Sequence, residues 1–171
     1  PSLPLDDMDA HLFLDNGLLR LEPLDFGVAG GDIRSTIRMD AREKTIRTRA
    51  DIAAKGLTLG KLMPKAELGK TAIGRLGGDI HIATTGNSIA AMLGNASGDA
   101  DVGMGEGRIS KLLMELAAID IAGILKVKLT GDKQIPIRCA FGDFAVKNGV
   151  MTPRALAFDT SATVITGTGT I

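Results

Sequence analysis

Residues 32–53 read DIRSTIRMDAREKTIRTRADIA, with an apolar or small side chain at almost every second position. Successive side chains of a β-strand point to opposite faces, so this period of two predicts strands with one apolar face. We predict one strand over 32–40 and another over 45–53, joined by a hairpin connection at 41–44. The apolar faces of the two strands are predicted to be buried together, and they hold Ile33, Ile37, Met39, Ile46, Ala50 and Ile52. The opposite faces are predicted to be exposed to water, and they hold Arg34, Arg38, Arg47 and Arg49.

The rest of the chain has the same rhythm of short segments. Its 22 glycines, with Asn-Gly and Gly-Gly pairs among them, separate segments of the length typical of antiparallel hairpins. Further strands are predicted at residues 8–14, 18–21, 24–28, 78–85, 97–104, 135–146, 151–160 and 162–171. The total is about ten strands.

The predicted strand 135–146 contains a change of pattern. Its apolar positions switch parity after Phe141, which predicts a one-residue β-bulge near Gly142 and Asp143. Cys139 falls in the same apolar pattern and is the single cysteine of the chain, so we predict a buried, inert thiol and no internal disulfide.

Helical signals are few. Ser88 followed by residues 89–93 and Gly94 predicts a short N-capped helix, and residues 57–63 predict a single helical turn. One substantial amphipathic helix is predicted over 109–125. Its apolar stripe consists of Ile109, Leu112, Leu113, Leu116 and Ala117.

These elements predict a mainly β fold with minor α. We expect a large curved antiparallel sheet, connected by hairpins, with the one amphipathic helix packed on it. The chain 1–171 is predicted to be one β-rich domain and a fragment of a longer protein.

The sequence also contains an internal repeat. The segment around Asn16-Gly17 matches the segment around Asn148-Gly149, and in the same register Phe26 matches Phe158 and Ile33 matches Ile165. Both copies predict a strand, an Asn-Gly turn and a second strand followed by a Gly-rich strand. Convergent turn chemistry is the alternative explanation, because Asn-Gly is a favoured hairpin turn in any sequence.

Composition argues against several classes of function. Twenty basic and twenty acidic residues cancel, so no net field attracts nucleic acid or an anionic membrane. Trp and Tyr are absent and Phe occurs only five times, which removes the platforms on which sugars and single-stranded nucleic acids stack. No stretch reaches the ~20 apolar residues that a transmembrane helix needs.

Catalytic and metal-binding patterns are weak as well. His11 and His81 stand without a second His, a Cys or a carboxylate at a metal-ligand spacing. We therefore expect no catalytic residue, no cofactor, no metal and no nucleic-acid partner, and we predict that the protein is not an enzyme.

A series of short motifs carries a resemblance to a known family. The C-terminal motifs are IRCAFGDFAV (137–146), NGVMT (148–152), AFDT (157–160) and ITGTGTI (165–171). The upstream motifs are NG (16–17), GGD (30–32), GNS (86–88), MLG (92–94), SG (97–98) and GRIS (107–110). In order and spacing they closely resemble the C-terminal region of AsmA-like proteins of Gram-negative bacteria, which are related to repeating β-groove lipid-transfer proteins.

The resemblance implies a place in the cell envelope. Such proteins have one N-terminal transmembrane anchor in the inner membrane and a long periplasmic β portion, and they are implicated in outer-membrane biogenesis and, for relatives, in phospholipid passage along an apolar groove. This chain would then be a soluble periplasmic piece without that anchor. The family supplies no catalytic residues to transfer.

The width of the predicted sheet agrees with this implication. A sheet of about ten strands is ~48 Å wide, whereas one helix is only ~10–12 Å across, so part of the apolar face is expected to stay open unless the sheet folds over on itself. Lipid acyl chains, the remainder of the longer chain and other envelope proteins are the expected partners. Candidate lipid-contact residues are Ile33, Ile37, Met39, Ile46 and Ile52. The alternative is a structural or assembly module that caps the sheet or docks an envelope protein through an edge strand.

Overall fold

The computed structural model describes residues 4–62, 73–110, 134–161 and 164–167. Its strands are β1 (Leu5–Asp15), β2 (Leu18–Val28), β3 (Gly31–Asp40), β4 (Arg47–Thr58), β5 (Arg75–Thr85), β6 (Ser97–Met104), β7 (Gly107–Ser110), β8 (Gln134–Lys147), β9 (Val150–Thr160) and β10 (Val164–Thr166). Two short helices are α1 (Leu59–Leu62) and α2 (Ile89–Gly94).

All ten strands belong to one antiparallel sheet. The order is β1-β2-β3-β4-β5-β6-β8-β9-β10, and β7 also pairs with β8. Neighbours in the sheet are mostly neighbours in the sequence, as in a meander built from hairpins. Among the described residues, β1 and β10 form the two edges of the sheet, which is therefore not closed there. The prediction of a mainly β fold with about ten antiparallel strands is confirmed.

Two Asn-Gly turns connect β1 to β2 and β8 to β9. Asn16 and Gly17 have φ values of 45° and 80°, and Asn148 and Gly149 have φ values of 49° and 74°. Positive φ at both central residues is typical of the type I′ turn, whose twist matches that of the flanking strands. The local sequence thus fixes where β2 and β9 begin.

The predicted internal repeat is visible in the pairing register. Phe26 pairs with Ile33 between β2 and β3, and Phe158 pairs with Ile165 between β9 and β10. The register shifts beside Leu21 in β2 and beside Pro153 in β9, which are equivalent positions of the two copies. The two three-strand units therefore share their turn, their pairing and the position of their bulge.

The predicted start of the long helix is wrong. Ile109 lies in β7, opposite Ile135 of β8, so residues 107–110 are extended rather than helical. The ladder with β8 satisfies the backbone groups of this segment and overrides its apolar spacing. The remainder of the predicted helix, from residue 111 onward, lies outside the described residues.

The two predicted short helices are both present, one of them with a shifted start. Helix α2 is capped by Ser88, whose hydroxyl accepts a hydrogen bond of 3.2 Å from the Ala91 amide, as predicted. The predicted helical turn at 57–63 begins later than expected, because Leu57 and Thr58 still belong to β4 and α1 starts at Leu59. Residue 63 lies outside the described residues.

The bulge predicted in β8 is displaced. A register shift does occur at Asp143 and Phe144, but β9 carries the extra residue there, namely Arg154. The extra residue of β8 is Arg138, between Ile137 and Cys139. This shift turns Cys139 to the side of Asp159, and the thiol is exposed rather than buried as predicted.

Candidate functional site: the two faces of the sheet

One face of the sheet is built from rows of apolar side chains. Residues paired across antiparallel strands project to the same face, so the register identifies each row. One row consists of Leu12, Leu21, Ile37, Ala50, Ile82, Gly98, Val146 and Met151. The next row consists of Ala10, Leu24, Ser35, Ile52, Ile80, Ala100, Phe144 and Pro153. We call the side that holds these two rows the uncharged face.

Each of these rows crosses eight strands, from β1 to β9. At a strand spacing of about 4.8 Å, a row of this kind is about 34 Å long. Every Asp, Glu, Lys, Arg and His that has a partner in the pairing register lies on the opposite side, which we call the charged face. The uncharged face is therefore a continuous surface without an ionised group at any registered position.

Burial on the uncharged face differs from strand to strand. Ile37 and Ile52 in the central strands are half-buried, and Ser35 between them is 7% exposed. On the edge strand β1, Leu12 and Leu14 are 60% and 69% exposed. Large apolar side chains are also exposed at Ile80, Val102, Leu156 and Ile165. Part of this face is thus open to solvent.

Helix α2 covers one end of the uncharged face. The Thr84 hydroxyl donates a hydrogen bond to the Met92 carbonyl, and the Thr48 hydroxyl lies 4.0 Å from the Met92 sulfur. Ile89 and Leu93 of the same helix remain exposed. The helix therefore holds the ends of β4 and β5 without covering the rows beyond them.

The candidate contact residues lie mainly where the alternation predicted them. Ile33, Ile37, Met39 and Ile52 project from β3 and β4 to the uncharged face, and these strands are adjacent and antiparallel as predicted. They are half-buried rather than fully buried. The predicted second strand of this pair starts too early, because β4 begins at Arg47 and Met39 faces Thr48.

Ile46 is consequently not part of the sheet. Its amide donates a hydrogen bond of 3.0 Å to the Asn87 side-chain oxygen, and its carbonyl accepts one of 2.9 Å from the Gly86 amide. These contacts hold Ile46 in the connection between β3 and β4, where it is half-buried.

The charged face contains a row of three arginines. Arg20 of β2 lies opposite Arg38 of β3, and Arg38 lies opposite Arg49 of β4. All three are exposed, as predicted for Arg38 and Arg49. Glu22 accepts hydrogen bonds of 2.7 and 3.2 Å from the Arg38 guanidinium. We call Arg20, Arg38 and Arg49 the arginine row.

Other carboxylates near the arginine row are engaged elsewhere. Asp40 accepts hydrogen bonds of 2.7 and 2.9 Å from Arg42, and this contact lowers the pKa of the Asp40 carboxyl to about 2. Glu43 accepts a hydrogen bond of 2.7 Å from Arg47. Within the described ranges, no ion pair joins Arg20 or Arg49 to a carboxylate.

An acidic row lies beside the arginine row. Asp51, His81 and Asp99 face one another on β4, β5 and β6. The His81 Nδ1 atom is 2.8 Å from an Asp51 carboxylate oxygen, and this hydrogen bond raises the pKa of His81 above its usual value, with Asp99 adding a smaller attraction. Composition and spacing missed this contact, because thirty residues separate the two partners in sequence.

The described part of the chain contains no group of three or more His, Cys, Asp or Glu side chains placed to hold a metal ion. Nor does any of its helices have the length and apolarity needed to cross a membrane.

Together these features define a class of protein: an open antiparallel β-sheet with one uncharged and one charged face. The model of the AsmA family matches residues 1–156 of the chain. The AsmA family protein YhjG of Escherichia coli (strain K12) is 39% identical over 169 residues, which are 99% of this chain and 25% of that relative. No solved structure matches the chain.

The chain belongs to the AsmA family. It spans about a quarter of the length of the curated relative that it matches. The resemblance identified from the motifs is therefore confirmed at the level of the family.

Proposed function

We propose that the chain is a non-catalytic periplasmic β module of an inner-membrane-anchored AsmA-like protein, and that its uncharged face offers an apolar path for lipid contact or passage in outer-membrane biogenesis. The observation that carries the proposal is the pair of apolar rows, which cross eight strands without an ionised group at a registered position.

Physical chemistry supports acyl chains as the occupants of this face. Large exposed apolar surfaces on a soluble domain are costly in water, at roughly 25 cal/mol per Å², and they often mark sites of apolar contact. The rows contain aliphatic residues such as Ile37, Ile52 and Ile82 with few hydrogen-bonding groups. Such a surface suits sliding contact with methylene chains better than recognition of one polar ligand.

The alternative is a structural or assembly module that docks another envelope protein through a sheet edge. All eleven residues of the edge strand β1 are exposed. An edge strand presents unpaired backbone groups, and addition of a strand from a partner is a common mode of recognition. This observation favours the alternative independently of the uncharged face.

Site-specific photo-crosslinking in the full-length anchored protein tests the lipid proposal. We would place the photoreactive residue at Ile37 or Ile52 on the uncharged face, and at the sequence neighbours Thr36 or Ala53 as matched controls on the charged face. We expect lipid adducts from the first pair and few from the second.

Two outcomes would reject lipid contact at the uncharged face. One is equal lipid labelling from both faces, and the other is an absence of lipid labelling from either face. Protein adducts from β1 positions such as Phe13, without lipid adducts from Ile37, would favour the assembly module.

A further inference from the structure

The arginine row is a place where the sheet brings like charges together. Side chains directly opposite one another on neighbouring strands have Cβ atoms about 5 Å apart, and like charges at such positions destabilise a sheet. Arg20, Arg38 and Arg49 occupy three consecutive positions of this kind. A bound anion would relieve their repulsion.

The row also lies in a concave part of the surface. A depression of about 670 Å³ is lined by all three arginines, by Arg47 and by one carboxylate, Asp40, which is paired with Arg42. The neutral polar residues of its lining are Thr48, Thr84, Thr85, Asn95 and Ser97. Guanidinium groups in a concavity bind oxyanions more strongly than isolated surface cations do, because several charge-assisted hydrogen bonds act together.

Internal carboxylates neutralise only part of this charge. Glu22 engages Arg38, and Asp40 and Glu43 engage Arg42 and Arg47. In the part of the chain that the structure describes, Arg20 and Arg49 have no such partner, and they flank Arg38 on both sides. Two guanidinium groups are thus available to a ligand within one depression.

We propose that the arginine row is an oxyanion site that binds phosphate groups, carried either by a soluble compound or by a lipid headgroup. Arg20 and Arg49, the outer members of the row, lie on β2 and β4, and two strand spacings of the sheet separate these strands by about 10 Å. This span suits two linked phosphates or two neighbouring headgroup phosphates. The arginine side chains project from the face opposite to the one proposed to meet acyl chains. The depression is also lined by Leu19, Met39, Thr48 and Thr84, which occupy uncharged-face positions of the register.

The test uses two probes and three variants of the whole chain. Calorimetric titration with inorganic pyrophosphate at low salt measures the soluble ligand, and flotation with phosphatidylcholine vesicles, with or without phosphatidic acid, measures the headgroup. The variants are Arg20→Gln, Arg49→Gln and the control Arg34→Gln, which lies on the charged face of β3 but outside this depression.

We expect pyrophosphate to bind the wild type, with an affinity that falls as salt rises. Arg20→Gln and Arg49→Gln should each weaken binding by about tenfold, the size expected for the loss of a charge-assisted hydrogen bond. Arg34→Gln should bind as the wild type does. Neither test variant should lower the Tm of the free protein, because each removes a like-charge contact.

Each remaining outcome is decisive. If the protein floats with phosphatidic acid vesicles in an arginine-dependent way but does not bind pyrophosphate, the site is supported and the phosphate that it binds belongs to a lipid headgroup. Binding of pyrophosphate without flotation supports a soluble phosphate compound. Absence of both, or an equal loss in all three variants, overturns the proposal.

Discussion

The two faces of the sheet are specified in different ways by the same strands. On the uncharged face, aliphatic residues repeat along each row, so the chemistry depends only on which side of the strand a residue occupies. On the charged face, the local chemistry depends on which side chains meet: Arg20 with Arg38, or Asp51 with His81. The alternation of a strand is therefore enough to build the first face, whereas the second requires the register.

The largest expected effect comes from placing a charge on the uncharged face. Ile37→Asp puts a carboxylate among half-buried apolar neighbours, and we expect a loss of about 2–3 kcal/mol in the free energy of unfolding. Urea unfolding monitored by circular dichroism measures it. The matched control Arg34→Gln on the same strand should change stability by less than about 0.5 kcal/mol. Equal losses in both variants would contradict the distinction between the faces.

A smaller effect is expected at the buried hydroxyl of the uncharged face. The Ser35 hydroxyl donates a hydrogen bond of 2.6 Å to the Leu24 carbonyl, beside the register shift of β2. Ser35→Ala leaves this carbonyl without that donor, and we expect a loss of about 1 kcal/mol. Thr36→Ala, on the charged face, is the control in the same unfolding measurement. A Ser35→Ala variant as stable as the wild type would show that the hydrogen bond contributes nothing net.

The smallest effect concerns the pH dependence of the His81–Asp51 contact. Asp51 raises the pKa of His81 above its ordinary value of 6.5. The contact therefore stabilises the folded protein fully at pH values below 6.5, and this stabilisation is lost as the pH rises through the raised pKa of His81. Asp51→Asn should lower the pKa of His81, measured by NMR titration. The Tm difference between this variant and the wild type should be small and should shrink towards alkaline pH. A His81 pKa unchanged by the substitution would contradict the contact.

Much of the fold was predictable because its signals are local. Alternation identified β3, and Asn-Gly pairs identified the turns before β2 and β9. The repeat was visible because its two copies keep the same spacing between turn and strand. The start of the predicted helix at Ile109 was wrong because an apolar spacing alone does not reveal that β8 offers this segment a pairing partner.

The charged face could not be predicted in the same way. Arg20 lies opposite Arg38 because β2 has an extra residue between Leu21 and Leu24. Arg38 lies opposite Arg49 because the connection from β3 to β4 has six residues, two more than the four that were predicted. One residue more or less at either place would move the arginines apart. The exposed thiol of Cys139 has the same origin, because the extra residue at Arg138 reverses the side to which it points.

The repeated three-strand unit bears on how such a sheet changes size. One copy comprises β1, β2 and β3, and the other comprises β8, β9 and β10, with the bulge at the same place in each. Each unit adds about 14 Å of width to both faces at once. Duplication of this unit would widen the sheet in fixed steps of three strands. Each added unit would extend the uncharged face and the charged face without changing their chemistry.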